Sequence, residues 1–194
     1  TTDTIAPDKY GIAEIERQYG SSGTPVYEAF LDASGQYTLI SSYGYAFVTR
    51  ELDEADNVLR ESWFDQDGKA VINARQKCAA IIRTFDDEGH ELTKSYYGTE
   101  GEPIAVNGFA SIVYSYDADG NVMFERYLDE SGALATQKEG YASLSRRFDA
   151  DGNVTSVIWY GVDGQPVVTS NGYAAIAWEY DAEGHAISER WVDA

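Results

Sequence analysis

Two histidines and one cysteine are the side chains best suited to acid–base or nucleophilic chemistry in this sequence. His90 and His185 fall at a repeat position (the repeat is defined below) that carries asparagine in other copies, which predicts turn residues. Cys78 fills a position that is tyrosine or phenylalanine in four of the other five copies, which predicts a buried thiol. The remaining residues do not supply a nucleophile, a base and an orienting group together. The sequence therefore predicts no enzyme and no cofactor.

Paired carboxylates are the next candidates, because short loops with alternating aspartates can bind calcium. The sequence offers two such loops, each with the pattern Asp-x-Asp-Gly-Asn. Each loop supplies two carboxylates, whereas calcium takes about six to eight oxygen ligands. Aspartate also favours turns through hydrogen bonds to its own backbone. The sequence favours plain turns, with weak calcium binding as the alternative; the candidate ligands are Asp117, Asp119, Asp149 and Asp151.

Recurring aromatic residues form a third kind of candidate site. Phe64, Tyr97 and Tyr160 each follow directly after a repeated aromatic position. Because neighbouring side chains of a strand point to opposite faces, these three rings lie on the face opposite the aromatic column. Exposed rings at regular spacing can stack on sugar rings or pack against another protein. We therefore interpret them as a ligand-binding platform, the alternative being that neighbouring repeats cover them.

All of these residues belong to one repeat of 31 to 33 residues, marked by a small Gly-aromatic-Ala motif. Six units begin at residues 11, 44, 77, 108, 140 and 172. We number positions from zero at these residues: position 2 is alanine in every unit, position 4 is aliphatic and position 19 is aromatic. The predicted organisation is the end of a preceding repeat at 1–10 and a repeat array at 11–194, with the last unit truncated.

The apolar positions 2, 4 and 8 have the period of a half-buried strand, and Asp-Gly turns follow them. A second strand at positions 14 to 20 completes a hairpin. The pattern predicts an all-β, elongated array of about six hairpin repeats, solenoid-like or meandering, in which position 4 pairs with 19, position 6 with 17, and position 8 with 15. Arg17 would then face Glu28, and Arg50 would face Glu61.

The charge of the chain limits its partners. There are 33 acidic and 14 basic residues, giving a net charge of −19. Nucleic-acid binding and attraction to an anionic membrane both depend on clustered Lys and Arg, so neither is expected. The longest apolar run, Tyr173 to Trp178, is too short to span a bilayer, so no membrane insertion is predicted.

Short motifs carry a resemblance to bacterial surface repeats. The motif Tyr-Asp-x-x-Gly-Asn at Tyr116 to Asn121, nearly repeated at Phe148 to Asn153, resembles the YD repeats of bacterial surface and toxin proteins. Aromatic strands alternating with Asp-Gly turns are also similar to choline-binding and glucan-binding cell-wall repeats. Both families use shorter repeats, and the paired Trp-Tyr-Tyr boxes of choline sites are absent. The resemblance implies an extracellular or cell-surface bacterial β-repeat, without implying a ligand.

Two functions follow from these observations. The sequence favours a non-catalytic binding or spacer module of a bacterial surface protein, which recognises carbohydrate or cell-wall polymer through repeated aromatic residues. Many weak sites on one array would bind by avidity. The alternative is a purely structural or protein–protein interaction array with no small ligand, whose partner would be another surface protein.

Overall fold

A computed structural model describes residues 6–194, so the first half of the segment predicted to end a preceding repeat lies outside the described residues. The described chain forms antiparallel β-strands and contains no helix. The predicted fold class, an all-β array of consecutive hairpins, is confirmed. No described segment forms a helix that could span a membrane. The strands are β1 (Glu14–Tyr19), β2 (Pro25–Leu31), β3 (Phe47–Leu52), β4 (Val58–Phe64), β5 (Ala80–Phe85), β6 (Glu91–Tyr97), β7 (Ser111–Tyr116), β8 (Val122–Leu128), β9 (Ser143–Phe148), β10 (Val154–Tyr160), β11 (Ala175–Tyr180) and β12 (Ala186–Val192).

The described chain divides into two compact units. The first comprises residues up to 89 together with 94–104, and the second comprises 90–93 and 105–194. Within the first unit β1 to β5 lie in chain order, and within the second β7 to β12 do the same. Each strand therefore pairs with its sequence neighbours, as short local connections favour.

One register recurs in the hairpins. Position 4 faces position 19, as in Val48 opposite Trp63, and position 6 faces position 17, as in Arg50 opposite Glu61. The predicted pairing of these positions is confirmed. The predicted pairing of positions 8 and 15 is wrong, because a register shift just before the turn brings position 14 opposite position 8, as in Leu52 opposite Val58. Such a bulge adds one residue to a strand and increases its local twist.

The turns are built around an aspartate whose carboxylate organises the loop. In the turn after β7, Asp117 Oδ1 accepts hydrogen bonds from the backbone N–H groups of Asp119 and Asn121, at 3.0 and 2.9 Å. Gly120 takes a positive φ of 81°, a conformation that costs glycine little. These hydrogen bonds favour the ionised carboxylate and lower its pKa. We call the residues with this arrangement and a lowered pKa the turn aspartates: Asp32, Asp53, Asp117, Asp129, Asp149 and Asp181.

After the second strand of a repeat, the chain turns back and runs beside that strand. The Val71 N–H donates to the Trp63 carbonyl at 3.0 Å, and the Val167 N–H donates to the Trp159 carbonyl at the same distance. The returning segment satisfies backbone groups that β4 and β10 would otherwise leave unpaired. The segment forms only isolated bridges with that strand, as between Phe64 and Ala70, and is not a strand of its own.

The core lies on the face of the hairpins that carries positions 2, 4 and 19. Ala46, Val48 and Trp63 are at most 2% exposed. The aromatic column at position 19 predicts that Trp159 lies in the core with Tyr160 pointing outward, but Trp159 is only half-buried, as is Tyr160. The repeat pattern therefore identifies the core face but not the depth of burial of each residue on it.

Candidate functional site

The platform face, defined as the face of the hairpins that carries Phe64, Tyr97 and Tyr160, is the candidate site predicted by the sequence. Phe64 ends β4 and Tyr97 ends β6 in the first unit, and Tyr160 ends β10 in the second. All three side chains are half-buried.

In the first unit, the ring of Phe64 packs within an aromatic cluster. It stacks on Phe47 with ring centroids 4.9 Å apart and an angle of 15° between the planes. Phe47 in turn contacts Tyr37 and Tyr27, whose hydroxyls form a hydrogen bond of 2.8 Å. Burial, followed by this hydrogen bond, raises the pKa of Tyr27. One face of Phe64 is thus already covered by a neighbouring side chain.

Phe64 and Tyr97 line a common cavity, so the structure brings two of the predicted platform residues together. The cavity has a volume of about 70 Å³, and its other walls include Arg60, Ser62 and Ala80. Small-molecule sites typically occupy about 300 to 1,000 Å³. This cavity can hold one or two water molecules but not a sugar ring.

The surroundings of Tyr160 differ. Tyr160 and Phe124 line a cavity of about 390 Å³, together with Ser115 and Arg126. Phe124 is 46% exposed, and the Tyr160 hydroxyl lies 3.1 Å from Ser145 Oγ. Of the platform residues, Tyr160 therefore borders a space large enough for a sugar ring, with an arginine beside it.

The repeated arginines at position 6 form ion pairs with glutamates. Arg17 pairs with Glu28 at 2.6 Å and Arg50 with Glu61 at 2.7 Å, as the predicted register requires. Arg146 faces Val157 across its own hairpin and instead pairs with Glu125 of the preceding hairpin at 2.6 Å. The sequence pattern did not indicate this link between hairpins, because it joins two repeats.

The loops considered for calcium use their first aspartate as a hydrogen-bond acceptor. Besides accepting two backbone N–H groups, Asp117 accepts one from the Asn121 side chain, at 3.1 Å. Asp149 repeats this arrangement with Asp151 and Asn153. This geometry is that of a plain turn. Calcium binding at Asp117, Asp119, Asp149 and Asp151 stays a prediction.

Histidine and cysteine lie where their repeat positions predict. His185 is an exposed turn residue whose Nδ1 lies 3.1 Å from Asp181 Oδ2, where other turns have an asparagine amide. With Glu183 these two residues form a group whose potential ligand atoms lie within 4.8 Å of one another. This group was not predicted from the sequence, where its signal is the Asp-Ala-Glu-Gly-His turn. Cys78 is fully buried, and burial raises the pKa of its thiol to about 11.

An acidic groove in the first unit was also missed from the sequence. Two neighbouring turns border a groove of about 490 Å³. Each turn has an ordinary sequence, but consecutive hairpins place their equivalent turns next to each other, so the carboxylates of both turns line one groove. The acidic residues that line the groove are Asp53, Glu54, Asp86, Asp87 and Glu88.

No protein-family model matches the chain, and no curated protein matches it either. Among solved structures it is similar to the crystal structure of TcdB2-TccC3-TEV, with a TM-score of 0.37 and 14% identity over 89% of this chain and 9% of that one. It is also similar to the Photorhabdus luminescens Tc holotoxin pore carrying a TccC3 mutation, with a TM-score of 0.30 and 11% identity over 90% of this chain and 11% of that one. The chain thus spans about a tenth of the length of either, and the resemblance to YD and cell-wall repeats stays a prediction.

Proposed function

We propose that this chain is a structural repeat array that engages other proteins through its surface and has no small ligand. The observation that carries the proposal is that the recurring charged and aromatic side chains already contact other residues of the hairpins. The turn aspartates accept backbone hydrogen bonds, the position 6 arginines described above pair with glutamates, and Phe64 stacks on Phe47. A repeated binding site would instead keep such groups available for a ligand.

The charge of the array favours one class of protein partner. A net charge of −19 and a groove lined by five carboxylates favour a partner with a basic contact surface, because complementary charge steers association. An extracellular or cell-surface location, implied by the resemblance to bacterial repeats, fits this role.

Carbohydrate binding is the second candidate function, and the cavity beside Tyr160 and Phe124 favours it. Its volume of about 390 Å³ accommodates a sugar ring, and an aromatic side chain next to an arginine suits stacking and hydrogen bonding. The equivalent space beside Phe64 and Tyr97 is too small for a sugar. A polymer platform repeated along the whole chain is therefore not part of the proposal.

The triple variant Phe64→Ala, Tyr97→Ala and Tyr160→Ala separates the two functions. Retention on bacterial cell walls and on soluble polysaccharides is measured beside the thermal stability. We expect no retention of the parent chain and a clear loss of stability in the variant, because these half-buried rings contribute to packing. Phe124→Ala, at a more exposed aromatic, is the matched control for stability.

The opposite result would contradict the structural function. Retention of the parent chain that is lost in the triple variant, with the melting temperature unchanged, would establish carbohydrate binding. If the parent chain is retained and the single variant Phe124→Ala is not, the carbohydrate-binding site is the cavity beside Tyr160.

A further inference from the structure

An arginine interrupts the platform face in the middle of the second unit. Arg126 holds position 18 of the fourth repeat, whereas the same position is Ser62 in the second repeat and Ile158 in the fifth. The repeat pattern therefore does not require an arginine there. Because alternate residues of a strand share a face, Arg126 lies between Phe124 and Leu128 on the platform face of β8.

Small side chains flank this row of residues on the neighbouring strands. Phe124 faces Ser115 on β7 and Ser145 on β9, and Arg126 faces Ser143 on β9. A short side chain beside a long one covers little of it, because facing residues are the closest neighbours across a sheet. Phe124 and Arg126 are accordingly both exposed, and open space remains on either side of β8.

Arg126 borders two cavities of similar size, both within the second unit. One is the cavity of about 390 Å³ described above beside Tyr160. The other has a volume of about 380 Å³, and its apolar walls include Val113, Leu128 and Leu134. Each cavity is large enough for an apolar side chain of a partner, and one guanidinium is within reach of both.

The guanidinium of Arg126 has no ion pair or hydrogen bond with any residue in the range 6–194 that the structure describes. Its neighbour Glu125 lies on the opposite face of β8 and pairs there with Arg146 at 2.6 Å. The five N–H donors of Arg126 are therefore available to a partner. A carboxylate suits them best, because it can accept two parallel hydrogen bonds from a guanidinium.

Two features favour an extended peptide over a sugar as the occupant. Alternate residues of a strand lie about 6.6 Å apart, so an extended peptide lying along β8 has the same spacing as Phe124, Arg126 and Leu128. The cavity beside Leu128 also has mainly aliphatic walls, and among its lining residues Arg126 carries the polar side chain. The hydroxyl groups of a sugar would lose hydrogen bonds to water there without replacing them.

From these observations we propose that the platform face of the second unit docks an extended segment of another protein, which places a carboxylate on Arg126 and an apolar side chain in each of the two cavities. The inference rests on the proposed function, because it names a surface through which the array engages a protein. The net charge of −19 favours a partner that is basic elsewhere, and the acidic group is needed only at this contact. An arginine between apolar recesses is a common anchor of protein interfaces.

The test uses two capped heptapeptides, Thr-Phe-Thr-Glu-Thr-Leu-Thr and Thr-Leu-Thr-Glu-Thr-Phe-Thr, which present the apolar side chains in both orders. Their binding to the intact, isotope-labelled chain is followed by NMR spectroscopy, which detects weak complexes. We expect at least one peptide to cause saturable shifts of backbone amides in β7, β8 and β9. Replacing its glutamate by glutamine should weaken binding about tenfold, because the hydrogen bonds to a charged group are lost.

Variants of the chain test the role of Arg126. Arg126→Gln should weaken binding of the glutamate peptide about tenfold as well. Arg147→Gln is the matched control, since Arg147 is an exposed arginine on the same face and lines neither cavity, and it should bind like the parent. Arg126→Glu should instead prefer a peptide with lysine in place of glutamate. The melting temperature should stay at the parent value in all three variants, because both arginines are exposed.

Four results would overturn the inference. The first three are the absence of saturable shifts with either peptide, equal binding of the glutamate and glutamine peptides, and equal losses in Arg126→Gln and Arg147→Gln. These leave the structural function standing, because the cell-wall retention assay tests it separately. The fourth is that a glucuronic acid oligomer shifts the same amides while the peptides do not, which would assign the face to an anionic sugar and support the second candidate function.

Discussion

Replacing two tryptophans at the same repeat position tests whether burial, rather than repeat position, sets their contribution to stability. Trp63 is 2% exposed and Trp191 is 58% exposed. A tryptophan buries roughly 200 Å², worth about 5 kcal/mol at ~25 cal/mol per Å². Trp63→Ala should therefore cost about 5 kcal/mol, and Trp191→Ala, with under half of its side chain covered, about 2 kcal/mol. A domain of this size loses roughly 2 to 4 °C of melting temperature per kcal/mol.

The assay is thermal and denaturant unfolding followed by far-ultraviolet circular dichroism. Trp63→Ala should lower the melting temperature by about 10 to 20 °C, and Trp191→Ala by about 4 to 8 °C. Equal losses at the two positions would refute the reasoning.

Three further predictions concern acid, thiol chemistry and ion pairs. The pKa values of the turn aspartates are lowered in the folded chain, so their stabilisation is present above the unfolded value of about 3.9 and is lost as the pH falls through the folded values. Melting temperatures should be flat above about pH 5 and fall below about pH 4; stability that rises on acidification would contradict this. Cys78, fully buried and with its pKa raised to about 11, should resist thiol reagents at pH 8 until the chain unfolds; rapid native labelling would show an accessible thiol. A double-mutant cycle of Arg50→Met and Glu61→Gln should give a coupling near 1 kcal/mol, since the pair is half-buried and Arg50 Nη1 also donates to the Pro25 carbonyl. The same cycle at the exposed pair of Arg190 and Glu179 should give almost none.

The sequence alone determined the features that depend on local pattern and repetition. The alternation of apolar residues and the Asp-Gly turns specify hairpins, and a hairpin of fixed loop length fixes which residues face each other. The facing pairs Arg17 with Glu28 and Arg50 with Glu61 followed from this register, and the buried position of Cys78 followed from its place in the repeat.

The tertiary structure decided what depends on residues far apart in the chain. The bulge that brings Leu52 opposite Val58 has no distinct sequence signature, because one extra residue is absorbed within an ordinary strand. The sequence placed Phe64 and Tyr160 on the same kind of face, but Phe64 meets Phe47 whereas Tyr160 borders a larger cavity. The exposure of Trp191 likewise reflects the absence of a described strand beyond β12. A repeat position fixes the direction of a side chain, but burial requires a neighbour, and only the assembled structure shows which neighbours are present.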